Sequence, residues 1–184
     1  LVVGADILSR IVDWKDRNTC VLFGDGAGAV ILQATTEENK GIISSDLHSD
    51  GSLNDALKTS GGTAFNQSSG FIQMSGKEVF KHAVEKMSKS VICALDKVGL
   101  KVEDIDLLVP HQANARILSA VAKRLSLPEE KVILTVENHA NTSAASIPLA
   151  LDYAVSNGKI KEGDLVVLEA LGGGLTWGSI VLNW

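Results

Sequence analysis

His111 and Asn141 are the residues of this chain best placed to do chemistry. His111 follows an apolar run over 106–109 and Pro110, and it leads into an amphipathic stretch. Asn141 follows a second apolar run, 131–136, and leads into the small residues Ser143, Ala144, Ala145 and Ser146. Each is a neutral hydrogen-bonding side chain where a strand stops and a helix is about to begin. In open α/β sheets, ligands bind at such corners, outside the carboxyl ends of the strands. An imidazole and a carboxamide converging there could hold a carbonyl oxygen and stabilise the negative charge it gains in an enolate or tetrahedral state. The plainer alternatives stay open: a lone His as a structural hydrogen-bonder, and Asn141 as a helix N-cap ahead of Thr142 and Ser143. Catalytic groups concentrate on such corners, which favours function for His111.

Other groupings carry less. The cluster Gly24, Gly26, Gly28 lacks the Lys-Ser/Thr of a phosphate loop, misses the dinucleotide spacing and precedes an apolar run of strand character. It reads as a hairpin turn using positive-φ glycines, and Gly172–Gly174 reads alike. Arg116, Lys123 and Arg124 form a basic stripe on one helix, with Lys77 and Lys81 a second pair at i, i+4. The bland reading is a solvated face; in an acidic chain, a local cationic patch could also steer an acidic partner. Cys20 and Cys93 sit in apolar patterns and read as buried small hydrophobes. Cys20, His111 and Asn141 follow the chain order of a papain-like hydrolase, but a mid-strand Cys lacks the helix N-terminus that favours a thiolate. No set of His, Cys and Asp has metal-ligand spacing.

These groups need elements to hold them. Strands are expected over 1–5, 19–23, 29–34, 41–47, 106–109, 131–136, 164–170 and 179–182, with 24–28 as a hairpin turn and 48–70 as a long polar loop. Ser75 and Glu78 match a capping box opening a long helix. Its apolar face is Phe80, Val84, Met87, Val91, Leu95 and Val98, and Gly99 stops it. Helices are also expected over 115–125, with Ile117, Leu118, Val121, Ala122 and Leu125 inward, and over 143–157, bent at Pro148. Strands alternating with helices make an α/β class. Segments 21–32 and 167–182 both read strand, glycine cluster, strand, which fits a duplicated architecture.

The chain has 184 residues, is 45% hydrophobic and has a net charge of −5. Bulk nucleic-acid binding is not expected of it. No apolar run reaches the ~18 residues of a membrane span. Two cysteines without a CxxC fit a reduced, cytoplasmic protein. The chain opens inside an apolar run, as a piece of a longer protein would, and 37–40 is the expected domain boundary.

Together the segments FGDGAGAVIL (23–32), MSGKEVFK (74–81), PHQANARI (110–117), NHANTSAASIPLAL (138–151) and GGGLTWGS (172–179) resemble the 3-oxoacyl-[acyl-carrier-protein] synthase III family, which has the thiolase-like fold. The resemblance implies a layered α/β mixed sheet with helices packed on it. Residues 1–35 would end the N-terminal half and 36–184 would form the C-terminal half. It implies a Cys-His-Asn site in which His111 and Asn141 supply two groups, while the nucleophilic Cys precedes residue 1. It matches Met74, Gly76, Ala113 and Asn114 to the pantetheine tunnel and Arg17 to the nucleotide end of coenzyme A. Lys81, Arg116, Lys123 and Arg124 match the carrier-protein docking face. Leu175 departs from the Phe more usual there. The implied activity is decarboxylative condensation of an acyl-CoA, such as acetyl-CoA, with malonyl-acyl-carrier-protein, in a cytoplasmic homodimer. Coenzyme A would enter as a thioester substrate, with no resident cofactor. Relatives making polyketide, quinolone or hydroxymethylglutaryl products share the fold, and a fragment that only docks the carrier protein is the non-catalytic alternative.

Overall fold

The computed structural model describes residues 1–38, 40–62, 64 and 66–184. Its centre is a four-stranded mixed sheet in the order β3 (Gly41–Ser49), β8 (Thr176–Asn183), β7 (Leu165–Gly172), β6 (Leu107–Pro110). β6 and β7 run parallel, and the other pairs are antiparallel.

Alternation along the strands decides which helix covers which face. Leu108, Val167 and Val181 join the cluster built by α1 (Gly76–Asp96) and α2 (Ala115–Leu125), including Met87, Val91, Leu95, Leu118 and Val121. Leu107, Val109 and Val166 join the opposite cluster with Ala150, Leu151 and Ala154 of α4 (Ser146–Ser156). β7 is covered on both sides, hence its nearly unbroken apolar run. α2 has the bounds and the five inward residues the sequence implies. The fold is the expected mixed sheet with helices packed on it.

Several local expectations are corrected. Segment 19–23 is not a strand: Asp16 organises it into turns by accepting from the Asn18 N–H and the Thr19 hydroxyl, and only Phe23 makes a bridge. The glycine cluster is itself strand β2 (Gly26–Val30), paired antiparallel with β1 (Val2–Asp6), so no hairpin joins 19–23 to 29–34. None of Gly24, Gly26 and Gly28 has positive φ. They are small because another backbone approaches: a Cβ at Gly28 would lie 2.6 Å from Pro148 Cβ, and one at Gly4 2.1 Å from the Ala144 carbonyl oxygen. The second glycine cluster does link a hairpin, β7 to β8, with Gly174 at φ +135°. Segment 48–70 contains a 3₁₀ turn, Gly51–Ala56, and β4 (Leu57–Thr59), which pairs with β5 (Ile72–Met74).

In α1 the capping box does not form. The Ser75 N–H donates to the Ala56 carbonyl at 2.9 Å instead, and Glu78 sits 3.8 Å from His82. The buried face is rotated toward Val79, Ala83, Met87, Val91, Ala94 and Leu95, leaving Phe80 and Val98 exposed. Helix α4 begins at Ser146, later than expected, so Pro148 lies in its first turn, where no intrahelical donor is needed. Among the described residues, no helix is long and apolar enough to cross a membrane.

Candidate active site

β6 ends at Pro110, and the chain turns sharply before α2. The His111 N–H donates to the Glu169 carbonyl of β7 at 2.7 Å, which extends the ladder one residue beyond the strand and fixes where the imidazole leaves it. Gln112 is fully buried and satisfies both ends of its amide. Its NH₂ donates to the Pro110 and Ile133 carbonyls at 2.9 and 3.0 Å. Its Oε1 accepts from the Thr135 and Val136 N–H groups at 2.8 and 3.1 Å. This one side chain replaces a strand partner for 131–136, which is why the strand expected there is reduced to a bridge between Val132 and Leu108 before α3 (Val136–His139). Asn114 caps α2, its Oδ1 accepting from the Ile117 N–H at 2.9 Å.

Asn141 is held just as firmly from the other side. Its N–H donates to the Leu22 carbonyl and its carbonyl accepts from the Gly24 N–H, both at 2.9 Å. Ala140, immediately before it, has φ +57° and ψ −165°, a region nearly reserved for glycine. The Asn141 Oδ1 accepts from the Ser143 N–H at 3.0 Å. That bond identifies the amide oxygen and leaves the NH₂ free to donate. Asn141 is therefore a free donor held by an Asx turn; the helix N-cap expected of it does not form, because Thr142 precedes the 3₁₀ turn and Ala145 precedes α4.

His111, Ala113, Asn114, Asn141 and Met74 line one cavity of about 50 Å³. Its other walls are apolar and include Leu22, Phe23, Leu57, Met87 and Leu171. Among the described residues, the polar side chains on it are His111, Asn114 and Asn141, and no carboxylate or cationic side chain lines it. The His111 imidazole is packed in protein, and burial pushes its pKa down to about 4, so it is neutral at physiological pH. Its Nδ1 lies 2.6 Å from Ser146 Oγ. Deeper in the sheet, Glu169 is buried, and among the described residues neither of its carboxyl oxygens has a hydrogen-bond partner. Burial pushes its pKa up to about 8, so it is largely protonated near neutrality.

The remaining candidates lie outside the cavity lining. Gly76 opens α1, with the Met74 methyl 3.8 Å from where its Cβ would stand. Arg17 is exposed in the turn before Thr19. Lys81, Arg116, Lys123 and Arg124 are exposed on α1 and α2; Lys123 and Arg124 also fall in the last turn of α2, where cations complement the helix dipole. Cys20, expected to be buried in a strand, is half-buried in a turn and absent from the cavity lining, which removes the papain-like arrangement. Cys93 is half-buried on α1. Among the described residues, no group of His, Cys, Asp and Glu could hold a metal ion.

Sequence reasoning missed Gln112, Ser146 and Glu169. Glu169 left a signal, an acid inside the apolar run LVVLEALG. Ser146 left none, because small residues after Asn141 read simply as close packing.

A family model described as 3-oxoacyl-[acyl-carrier-protein (ACP)] synthase III C terminal matches residues 95–184, and the 3-oxoacyl-[acyl-carrier-protein (ACP)] synthase III model matches 1–51. The chain is 58% identical to a beta-ketoacyl-[acyl-carrier-protein] synthase III of Ehrlichia canis (strain Jake), over 100% of this chain and 57% of the relative. It is 57% identical to that of Cereibacter sphaeroides (strain ATCC 17025 / ATH 2.4.3), over 100% of this chain and 58% of the relative. The crystal structure of 3-oxoacyl-[acyl-carrier-protein] synthase III from Aquifex aeolicus VF5 matches with a TM-score of 0.93 at 45% identity, covering 99% of this chain and 56% of that one. The chain thus spans somewhat more than half the length of the relatives it matches.

Proposed function

Because the chain belongs to the 3-oxoacyl-[acyl-carrier-protein] synthase III family, we propose that it is the C-terminal part of a condensing acyltransferase and that His111 and Asn141 are two of its catalytic groups. In this reading, residues 1–35 close the N-terminal half and 36–184 form the C-terminal half. The nucleophilic cysteine comes from the longer protein's other residues. An acyl group passes from coenzyme A to that thiolate by thioester exchange. Malonyl-acyl-carrier-protein then enters and loses carbon dioxide, and the resulting carbanion attacks the acyl-cysteine carbonyl to begin a fatty acid chain. Arg17, Met74, Gly76, Ala113 and Asn114 form the path of coenzyme A and the pantetheine arm. Lys81, Arg116, Lys123 and Arg124 receive the acidic carrier protein. The whole protein works as a cytoplasmic homodimer.

The observation that carries the proposal is the single cavity on which His111 and Asn141 open. Both are neutral, so both can donate to one thioester carbonyl without the reorganisation an ion would need. As carbon dioxide leaves, that oxygen becomes an enolate oxygen, and the two donors stabilise it. One such donor is typically worth ~2.7–4 kcal/mol of barrier. The test is turnover of acyl-CoA and malonyl-carrier protein by the 184 residues alone and by the longer protein. The isolated chain is expected to be inactive and the longer protein active. Condensation by the isolated chain would overturn the assignment of the nucleophile to the other half.

A further inference from the structure

We propose that Ser146 is a positioning residue that fixes the His111 imidazole as the Nε2–H tautomer, so that the nitrogen left for the cavity is a donor. Ser146 opens α4 and is 1% exposed. Its Oγ lies 2.6 Å from His111 Nδ1 and 3.3 Å from the Gln112 backbone nitrogen. A backbone N–H can only donate, so Gln112 occupies a lone pair of the hydroxyl. The hydroxyl hydrogen then needs an acceptor. If Nδ1 carried a proton it would also donate to Oγ, and the Ser146 hydrogen would be left buried without a partner, an unfavourable arrangement. If Nδ1 is bare, it accepts from Ser146, every group is satisfied, and the ring proton resides on Nε2. An acceptor at Nδ1 also disfavours the imidazolium, which would turn that nitrogen into a second donor facing a donor.

The same arrangement links the two corners. Ser146 follows the 3₁₀ turn Ser143–Ala145, whose Ser143 N–H orients the Asn141 amide. One short segment therefore sets the donor of both site residues: a backbone N–H turns the Asn141 NH₂ outward, and a hydroxyl turns the His111 N–H outward. The inference rests on the proposed role of His111 only for its catalytic consequence; the tautomer itself stands on the geometry.

The experiment is ¹⁵N NMR of the imidazoles in the longer protein, with His111 assigned by substitution, alongside malonyl-carrier-protein decarboxylation. The wild-type spectrum decides the tautomer without any risk to folding: Nε2–H between pH 6 and 8 is expected, and Nδ1–H overturns the proposal. Ser146→Ala is expected to mix the tautomers and to lower kcat for decarboxylation by on the order of 10²-fold while KM stays within about twofold. An unmoved tautomer in Ser146→Ala refutes the role of Ser146 whatever the rate. A shifted tautomer with full decarboxylation upholds Ser146 and refutes the donor role given to His111.

Discussion

Asn141 is paired with Phe23 as if the two were neighbours in a parallel sheet, with the Leu22 carbonyl and Gly24 N–H holding its backbone from both sides. The backbone that carries the cavity amide is therefore positioned by the 22–24 segment, while the Ser143 N–H orients the amide itself. A Cβ at Gly24 would lie 3.1 Å from the His139 carbonyl oxygen and 3.2 Å from Ala140 Cβ, next to the strained residue before Asn141. Gly24→Ala is expected to displace the Asn141 corner and lower decarboxylation, with only a modest loss of thermal stability. Kinetics and melting of the same variant in the longer protein check this; unchanged rates would mean that the 22–24 segment does not position Asn141.

Farther from the site, the approach of the β1–β2 sheet to the start of α4 is tighter. Gly4→Ala would drive a methyl to 2.1 Å from the Ala144 carbonyl oxygen, a backbone atom that cannot rotate away. Gly26→Ala meets the Thr142 Cγ2 methyl at 2.9 Å, a side chain with more freedom to shift. Overpacking of this kind costs about 1–3 kcal/mol, and the entropic gain of replacing glycine, about 0.4–1 kcal/mol, offsets only part of it. Denaturant unfolding is expected to rank Gly4→Ala as the more destabilised variant. The reverse order would contradict the backbone-contact account.

Gln112→Ala leaves two carbonyls and two N–H groups unpaired in the interior between β6 and α3. With each buried orphan worth roughly 1–3 kcal/mol before relaxation or water entry, a loss of at least about 3 kcal/mol is expected in equilibrium unfolding. Gln112→Glu restores the shape but aims one carboxylate oxygen at both the Pro110 and Ile133 carbonyls, so it is not expected to rescue. A near-neutral Gln112→Ala would show that the clamp is dispensable.

Two buried groups give opposite slopes of stability with pH. Glu169 has its pKa raised from 4.5 to about 8, so between these values the folded chain holds a proton the unfolded chain has lost, and stability falls as pH rises. His111 has its pKa lowered from 6.5 to about 4, so between these values the unfolded chain holds the extra proton; stability is fully present above 6.5 and is lost as pH falls toward 4. Each slope is about 1.4 kcal/mol per pH unit, and the two oppose each other where they overlap. Glu169→Gln, which keeps the neutral shape, is expected to remove the fall between pH 6.5 and 8 and to expose the rise between 4.5 and 6.5. Urea unfolding across pH measures both. A variant as pH-sensitive as the wild type above 6.5 would mean that Glu169 is ionised in the fold.

Much of this site was legible before any coordinates. An imidazole after Pro110 and a carboxamide before a small-residue helix are corner signals, and the periodicity of 115–125 set α2 residue by residue. What stayed hidden depends on contacts between distant segments. The run Thr19–Phe23 has strand composition, but Asp16 bends it and Phe23 finds its partner at Asn141. The glycines of β2 read as turn residues because a sequence cannot tell a glycine needed for φ from one needed for the approach of Pro148 and Thr142. Segment 131–136 was read as a strand because nothing local shows that the Gln112 side chain takes the N–H groups a neighbouring strand would have paired.

The central claim is that His111 and Asn141 stabilise one oxygen during decarboxylation and do little for thioester exchange. The direct measurement compares His111→Ala and Asn141→Ala in the longer protein, timing acyl-cysteine formation from acyl-CoA and carbon dioxide release from malonyl-carrier protein separately. Each variant is expected to lose decarboxylation by about 10²–10³-fold while acyl transfer falls far less. Equal losses in both half-reactions, or decarboxylation that survives either substitution, would contradict it.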